Sequence, residues 1–272
     1  GRPRGGAARR APPDPPVELT PVLRLRSLVF DVLLYAMMAV MGIAFAPLAL
    51  WSVDGAYRAV KTYARSSLWL LRVVCGLRVE VRGPVPTGQV IVASKHQSFL
   101  DILVLAATLP RPKFIMKQEL RWAPILGLYA MRIGSTPVNR GARSRAMKDM
   151  VAHVGAREAD AARQLVIYPQ GTRVLPGATL PYKVGAGVLY DRLGEPCVPS
   201  ATNVGVFWSR RSPYRRPGLA VVEFLPTIPP GLPIAEFMSR IETGVEAESN
   251  RLMREAGFEA PARPVRETST TA

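Results

Sequence analysis

The scarcest reactive residues in this chain are histidine and cysteine, with two of each in 272 residues. Cys75 and Cys197 are too few for a disulfide scaffold, and two histidines offer little to a metal. A reducing, cytoplasmic setting is favoured. Acidic residues are also short: 20 Asp and Glu face 36 Lys and Arg, a formal net charge of +16. So strong a bias suggests anionic partners, whether membrane lipid, a phosphorylated substrate or nucleic acid. Nucleic acid is set aside, because the arginines are scattered rather than arranged with aromatics on one sheet face. No internal repeat is visible. The length suits one large domain or two small ones.

Residues 1–20 are basic and Pro-rich, and residues 259–272 run out in Glu-Thr-Ser-Thr-Thr-Ala; both read as disordered tails. From Val32 to Trp51 the chain runs twenty residues without a charge, enough to cross a bilayer's hydrocarbon core as one helix. A cleavable signal peptide is not expected, since the run is long and no small-residue cleavage site clearly follows it. Tyr57 to Leu77 reads as a second helix. Arg24 and Arg26 precede the apolar run, and Arg58, Lys61 and Arg65 follow it. Positive charge on both sides suits two helices that enter and leave by one cytoplasmic face. Residues 21–76 are therefore expected to form a membrane-anchoring hairpin, with a single span or a buried helix of a soluble core as alternatives.

After Gly76 short strands alternate with helices. The strand candidates are Leu77–Val81, Gln89–Ala93, Lys113–Met116, Ser135–Val138, Gln164–Tyr168, Cys197–Ala201 and Ala220–Phe224. Helices are expected near 99–109, 141–158, 182–192 and 234–256. The alternation predicts an α/β domain over residues 77–258, with a mixed, largely parallel sheet of about seven strands flanked by helices and sites at the strand ends.

At one such end, His96 occupies a polar turn and Asp101 the first turn of the helix behind it. A reversing chain brings that carboxylate under the imidazole, the arrangement that orients a histidine general base. The same residues also fit a capping box, Ser98 capping the helix and Asp101 bonding back, with His96 a mere loop residue. Three cations stand at other strand ends: Lys117, Arg140 and Arg173. Converging on one crevice beside His96, they would receive a phosphate dianion. Cys197 reads as a buried strand residue rather than a nucleophile.

The block His96-Gln-Ser-Phe-Leu-Asp101 resembles the His-x4-Asp block of the glycerolipid acyltransferases, the lysophosphatidic acid acyltransferase family. Tyr168-Pro-Gln-Gly-Thr-Arg173 is similar to that family's third block, usually Phe-Pro-Glu-Gly-Thr-Arg. The stretch Gly134–Arg140 resembles the second block, and Val198-Pro199 with Asn203 the fourth. Order and approximate spacing agree over residues 90–205.

The resemblance implies acyl transfer from acyl-CoA or acyl carrier protein to the sn-2 hydroxyl of lysophosphatidic acid, giving phosphatidic acid. It implies catalysis by His96 and Asp101, a phosphate held by Arg140, Arg173 and Lys117, and positioning by Gln170, Gly171 and Thr172. No metal and no cofactor beyond the thioester co-substrate is implied, and the setting is the cytoplasmic face of a bacterial inner membrane, among membrane lipids. Glycerol-3-phosphate or a lyso-aminolipid as acceptor, or an inactive homologue, are the alternatives. Gln170 departs from the family's usual Glu. An amide can bond a substrate hydroxyl but cannot take its proton. Gln170→Glu is expected to be tolerated.

Overall fold

The computed structural model describes residues 20–139, 163–210 and 212–258. The expected helix at 141–158, Arg140 and most of both tails lie outside the described residues.

The N-terminal segment forms three helices: α1 (Pro21–Ala44), α2 (Ala46–Trp51) and α3 (Val53–Cys75). This corrects the single helix expected over Val32–Trp51. Helix α1 starts at Pro21, where the Thr20 side chain caps it and Pro21 takes a position that needs no N–H. It ends at Phe45 because Pro47 cannot continue the ladder and its ring would meet the preceding turn. Helix α3 begins earlier than the expected Tyr57, because Ser52 Oγ accepts from Gly55 N at 2.9 Å. A Cβ on Gly55 would lie 2.1 Å from the Leu48 carbonyl oxygen, so only glycine lets α2 and α3 meet so closely. At 24 residues, α1 is long and apolar enough to cross a membrane.

Seven strands follow, each on an expected segment: β1 (Leu77–Arg82), β2 (Val90–Ser94), β3 (Pro112–Lys117), β4 (Thr136–Val138), β5 (Gln164–Ile167), β6 (Cys197–Thr202) and β7 (Gly218–Phe224). They form one mixed sheet in the order β1-β7-β6-β2-β5-β3-β4, parallel throughout except for the β6–β7 pair. Strands β2 and β5 are buried at every position, as apolar runs covered on both faces should be. Helices α4 (Phe99–Thr108), α5 (Leu126–Arg132), α6 (Gly185–Leu193), α7 (Val204–Phe207) and α8 (Ile234–Glu255) complete the described elements, with a 3-10 turn at Gln118–Trp122. That turn, α5 and α7 are too short to leave a periodic signal.

The main core runs without a break from α1 into the sheet. Phe30 and Leu34 of α1, Leu71 of α3, Leu105 of α4 and Val92 of β2 share one buried cluster. A partly buried ion pair also joins the two parts. Arg215 binds Asp31 of α1 at 2.5 Å while its guanidinium lies 4.4 Å from the Trp208 ring.

Candidate active site

Strand β2 ends at Ser94, and the chain reaches His96 just before α4 begins. Asp101 falls one turn inside α4, fully buried. Its Oδ1 lies 2.8 Å from His96 Nδ1, and its Oδ2 accepts the backbone N–H groups of Gln97 and Ser98 at 2.9 and 2.8 Å. The capping box and the histidine brace are thus one structure. With Asp101 accepting from Nδ1–H, the imidazole keeps its lone pair on Nε2, the form a general base needs.

Three further contacts fix the imidazole. The Tyr168 ring stacks on it, 3.9 Å between centroids and 21° between planes. His96 O accepts from Val174 N at 2.7 Å, tying this loop to the Tyr168–Arg173 turn. Gln97 Oε1 accepts from Gly205 N at 3.0 Å, which ties the turn to α7. Burial, and then the Asp101 charge, hold the Tyr168 hydroxyl well above the usual tyrosine range, so the ring stays neutral.

His96 opens onto a cavity of about 600 Å³. That falls within the roughly 300–1,000 Å³ of small-molecule sites. Most of its wall is apolar: Met38 and Met41 from α1, Tyr63 from α3, Leu103 from α4, Met116 from β3 and Tyr129 from α5. Its polar lining gathers His96, Lys117, Ser135, Thr172, Arg173 and Arg210. No carboxylate lines it among the described residues. A long apolar wall bearing several cations suits an anionic amphiphile.

The expected site residues divide accordingly. His96, Lys117, Thr172 and Arg173 share the cavity; Lys117 is well exposed and pairs with Glu119 at 3.3 Å. Arg140 lies outside the described residues. Gly171 takes a left-handed backbone (φ 69°) that closes the turn through its N–H to Tyr168 O, and it does not line the cavity.

Gln170 does not line it either. Its Nε2 donates to Glu246 Oε1 of α8 at 3.3 Å. Glu246 also binds the buried Lys95 at 2.6 Å and accepts from Tyr182 OH at 3.1 Å. Burial pulls the Lys95 ammonium below the usual lysine range, and Glu246 opposes that shift. A carboxylate from α8 therefore holds both the residue before His96 and the turn before Arg173. The geometry argues against the expected tolerance of Gln170→Glu, since the new carboxylate would face Glu246.

Cys197 is fully buried and its thiol is pushed up to about 12 by burial, so it is no nucleophile.

Two contributors escape sequence reasoning. Arg210 donates to Thr172 Oγ1 at 3.3 Å and to Arg173 O at 3.0 Å, placing a second guanidinium beside Arg173. Its only trace in the sequence is a basic run after β6. The Lys95–Glu246 pair spans 151 positions and leaves no pattern.

The comparisons with known proteins bear on the domain that carries this site. The family model described as Acyltransferase matches residues 77–203. The 1-acyl-sn-glycerol-3-phosphate acyltransferase of Pseudomonas aeruginosa is 28% identical over 214 residues, 77% of this chain and 83% of that protein. The human 1-acyl-sn-glycerol-3-phosphate acyltransferase beta is 35% identical over 159 residues, and this chain spans 57% of its length. In three dimensions the chain is similar to the crystal structure of PlsC, the 1-acyl-sn-glycerophosphate acyltransferase from Thermotoga maritima, with TM-score 0.68 and 18% identity. The match covers 84% of this chain and 97% of that one. The residues matched by the acyltransferase family model, 77–203, carry both the His96 turn and the Tyr168–Arg173 turn.

Proposed function

We propose that the chain moves a fatty acyl group from a thioester, acyl-CoA or acyl carrier protein, to the sn-2 hydroxyl of lysophosphatidic acid, yielding phosphatidic acid. The observation that carries this reading is the braced histidine opening onto an apolar cavity that is also lined by Arg173 and Arg210. His96 Nε2 takes the proton of the acceptor hydroxyl as its oxygen attacks the thioester carbonyl. Asp101 stabilises the imidazolium that forms. Collapse of the tetrahedral intermediate expels the thiolate, which recovers a proton from His96. No acyl-enzyme is needed. Arg173 and Arg210, with Lys117, hold the acceptor phosphate and so place its hydroxyl, and the apolar wall takes the hydrocarbon chain.

The activity belongs at a membrane, where acceptor and product reside. Helices α1 and α3 run out and back, with Cys75 Sγ 3.9 Å from Arg26 O. Arg72 thus joins Arg24 and Arg26 at one end, while Arg58 and Lys61 lie toward α2. The basic flanks expected on one face are split between the two ends. Apolar side chains such as Val40 and Ile43 on α1 are exposed, while Phe30 and Leu34 on its other face are buried. The helix thus has one face for the protein and one for lipid.

The test incubates purified protein with lysophosphatidic acid and either acyl-CoA or acyl carrier protein, and follows phosphatidic acid. Glycerol-3-phosphate and a lyso-aminolipid serve as competing acceptors. Product from lysophosphatidic acid in preference to both supports the reading. Preference for either competitor, or no product with any acceptor, contradicts it.

A further inference from the structure

The stretch from Gln118 to Arg132 forms one side of the cavity and carries large apolar side chains both inward and outward, the outward ones interspersed with the exposed Glu119, Arg121 and Arg132. Inward, Leu126 and Tyr129 line the cavity. Outward, Trp122 is 75% exposed and Leu128 54% exposed, and neither touches the cavity. A short segment with large apolar side chains on both sides is poorly suited to water.

The segment is bonded to the N-terminal helices where α1 gives way to α2. Tyr129 OH donates to Gly42 O at 2.8 Å, and Tyr57 OH donates to Ile133 O at 3.0 Å. Arg132 donates to Ala49 O and Leu50 O at 2.8 and 3.0 Å, capping the free carbonyls at the end of α2. Leu128 lies one turn before Arg132 on the same face of α5, the face from which Arg132 reaches the exposed end of α2. There Leu50 and Trp51 are 66% and 90% exposed. The exposed apolar side chains of α2 and α5 therefore flank the Arg132 guanidinium, whose N–H groups are engaged by the α2 carbonyls.

At the other end of the stretch, Trp122 carries the Arg121 guanidinium 4.6 Å from its ring centre. An indole backed by a cation is the side-chain pair that suits the level of lipid headgroups, with the ring toward the chains and the charge toward phosphate. Ile125 sits between these ends in a γ-turn of the strained hand. Its φ is 61°, its ψ is −65°, and Leu126 N bonds Pro124 O at 2.6 Å. The Ile125 side chain fills the space left by the missing Cβ of Gly42. Packing of that kind is what keeps a strained turn in place.

We propose that the Gln118–Arg132 stretch is a second membrane contact, separate from α1. It lies at the bilayer surface with Trp122 and Leu128 in lipid, and forms the partition between the bilayer and the cavity. The occupant of this face is an anionic lipid surface. The proposal rests on the acyltransferase reading only for what the cavity receives; the contact itself is tested without turnover.

Cys75 and Cys197 are buried, so a cysteine introduced as Trp122→Cys is the accessible thiol for a polarity-sensitive fluorophore. The full chain is mixed with phosphatidylethanolamine vesicles containing phosphatidylglycerol, with or without a quencher on the lipid chains. The expected result is a blue shift and quenching of the label at position 122. A label there that stays in water, whether or not a Val40→Cys control on α1 enters the lipid, overturns the proposal. As a second arm, Trp122→Ser with Leu128→Ser is expected to weaken vesicle binding about tenfold, as withdrawal of two large apolar side chains requires. It should leave turnover of a short-chain acceptor in free solution unchanged. Unaltered vesicle binding in that variant also overturns the proposal.

Discussion

His96 meets Asp101 through one carboxylate oxygen while the other is anchored: Oδ1 lies 2.8 Å from Nδ1 of the imidazole, and Oδ2 is held by the two N–H groups of Gln97 and Ser98 that start the helix. The brace is therefore rigid at its root. In Asp101→Asn an amide NH2 faces either the imidazole or those backbone N–H groups. Turnover is expected to fall by about 10³–10⁴-fold, the scale seen when a triad aspartate becomes asparagine in a serine protease. Loss of the cap should cost a further ~1 kcal/mol of stability. Steady-state rates and thermal unfolding of the variant check both. A rate near that of the parent protein would remove Asp101 from the mechanism.

Arg173 and Arg210 share a ligand if the two guanidiniums at the cavity bind one phosphate. Each alanine substitution removes a charge-assisted contact made equally in ground and transition states. KM for lysophosphatidic acid should rise roughly 10–100-fold per arginine, from about 1.5–3 kcal/mol each, with kcat little changed. An Arg210→Ala enzyme with unaltered KM would show that Arg210 only buttresses the turn.

Glu246 faces a cation and an amide, and that balance makes opposite demands at its two neighbours. Gln170→Glu brings a second carboxylate to the position now held by an N–H···O bond of 3.3 Å. Destabilisation of about 2 kcal/mol or more is expected. Combining it with Glu246→Gln returns a single negative charge to Lys95 and should recover most of that loss. Failure of the pair to do better than Gln170→Glu alone contradicts the network.

Glu246→Gln by itself leaves the buried Lys95 ammonium unpaired, at a cost of about 3–5 kcal/mol near neutral pH. Burial already holds Lys95 below the usual lysine range, and Glu246 is what opposes this. Without it the folded-state pKa falls further while the unfolded value stays. Between those two values the unfolded chain binds the extra proton, so stability rises with pH. The Tm deficit of the variant relative to its parent should narrow as pH is raised into the alkaline range. A deficit independent of pH would mean that Lys95 is not the charge being exposed.

Gly42 lets α1 approach the cavity wall, since a Cβ there would sit 2.5 Å from Ile125 Cγ2. Gly42→Ala must displace Ile125, which lines the cavity. The expected outcome is a shift of kcat/KM toward shorter acyl chains, measured across a series of acyl-CoA lengths. An unchanged chain-length profile would place the hydrocarbon elsewhere.

The sheet was legible because its strands are short apolar or alternating runs between turn signals, although each expected strand misses one or both of its ends by one or two residues. His96 and Asp101 were legible for a local reason: five positions span one strand-to-helix turn. The N-terminal helices were read with the wrong ends, because counting uncharged residues from Val32 to Trp51 ignores the break that Pro47 imposes at Phe45. What acts at a distance was not legible. Lys95 and Glu246 meet only when α8 folds across the end of β2, and nothing in either residue's neighbourhood predicts the other. The face shown by Gln170 was hidden in the same way: spacing puts it in the turn, and only packing against α8 decides that it turns from the cavity.

The central claim is that one imidazole performs the proton transfer. Its most direct test measures phosphatidic acid formation by His96→Ala under conditions where circular dichroism and Tm show the fold intact. The account predicts turnover reduced to background with lysophosphatidic acid still bound. Residual turnover within tenfold of the parent protein would contradict it.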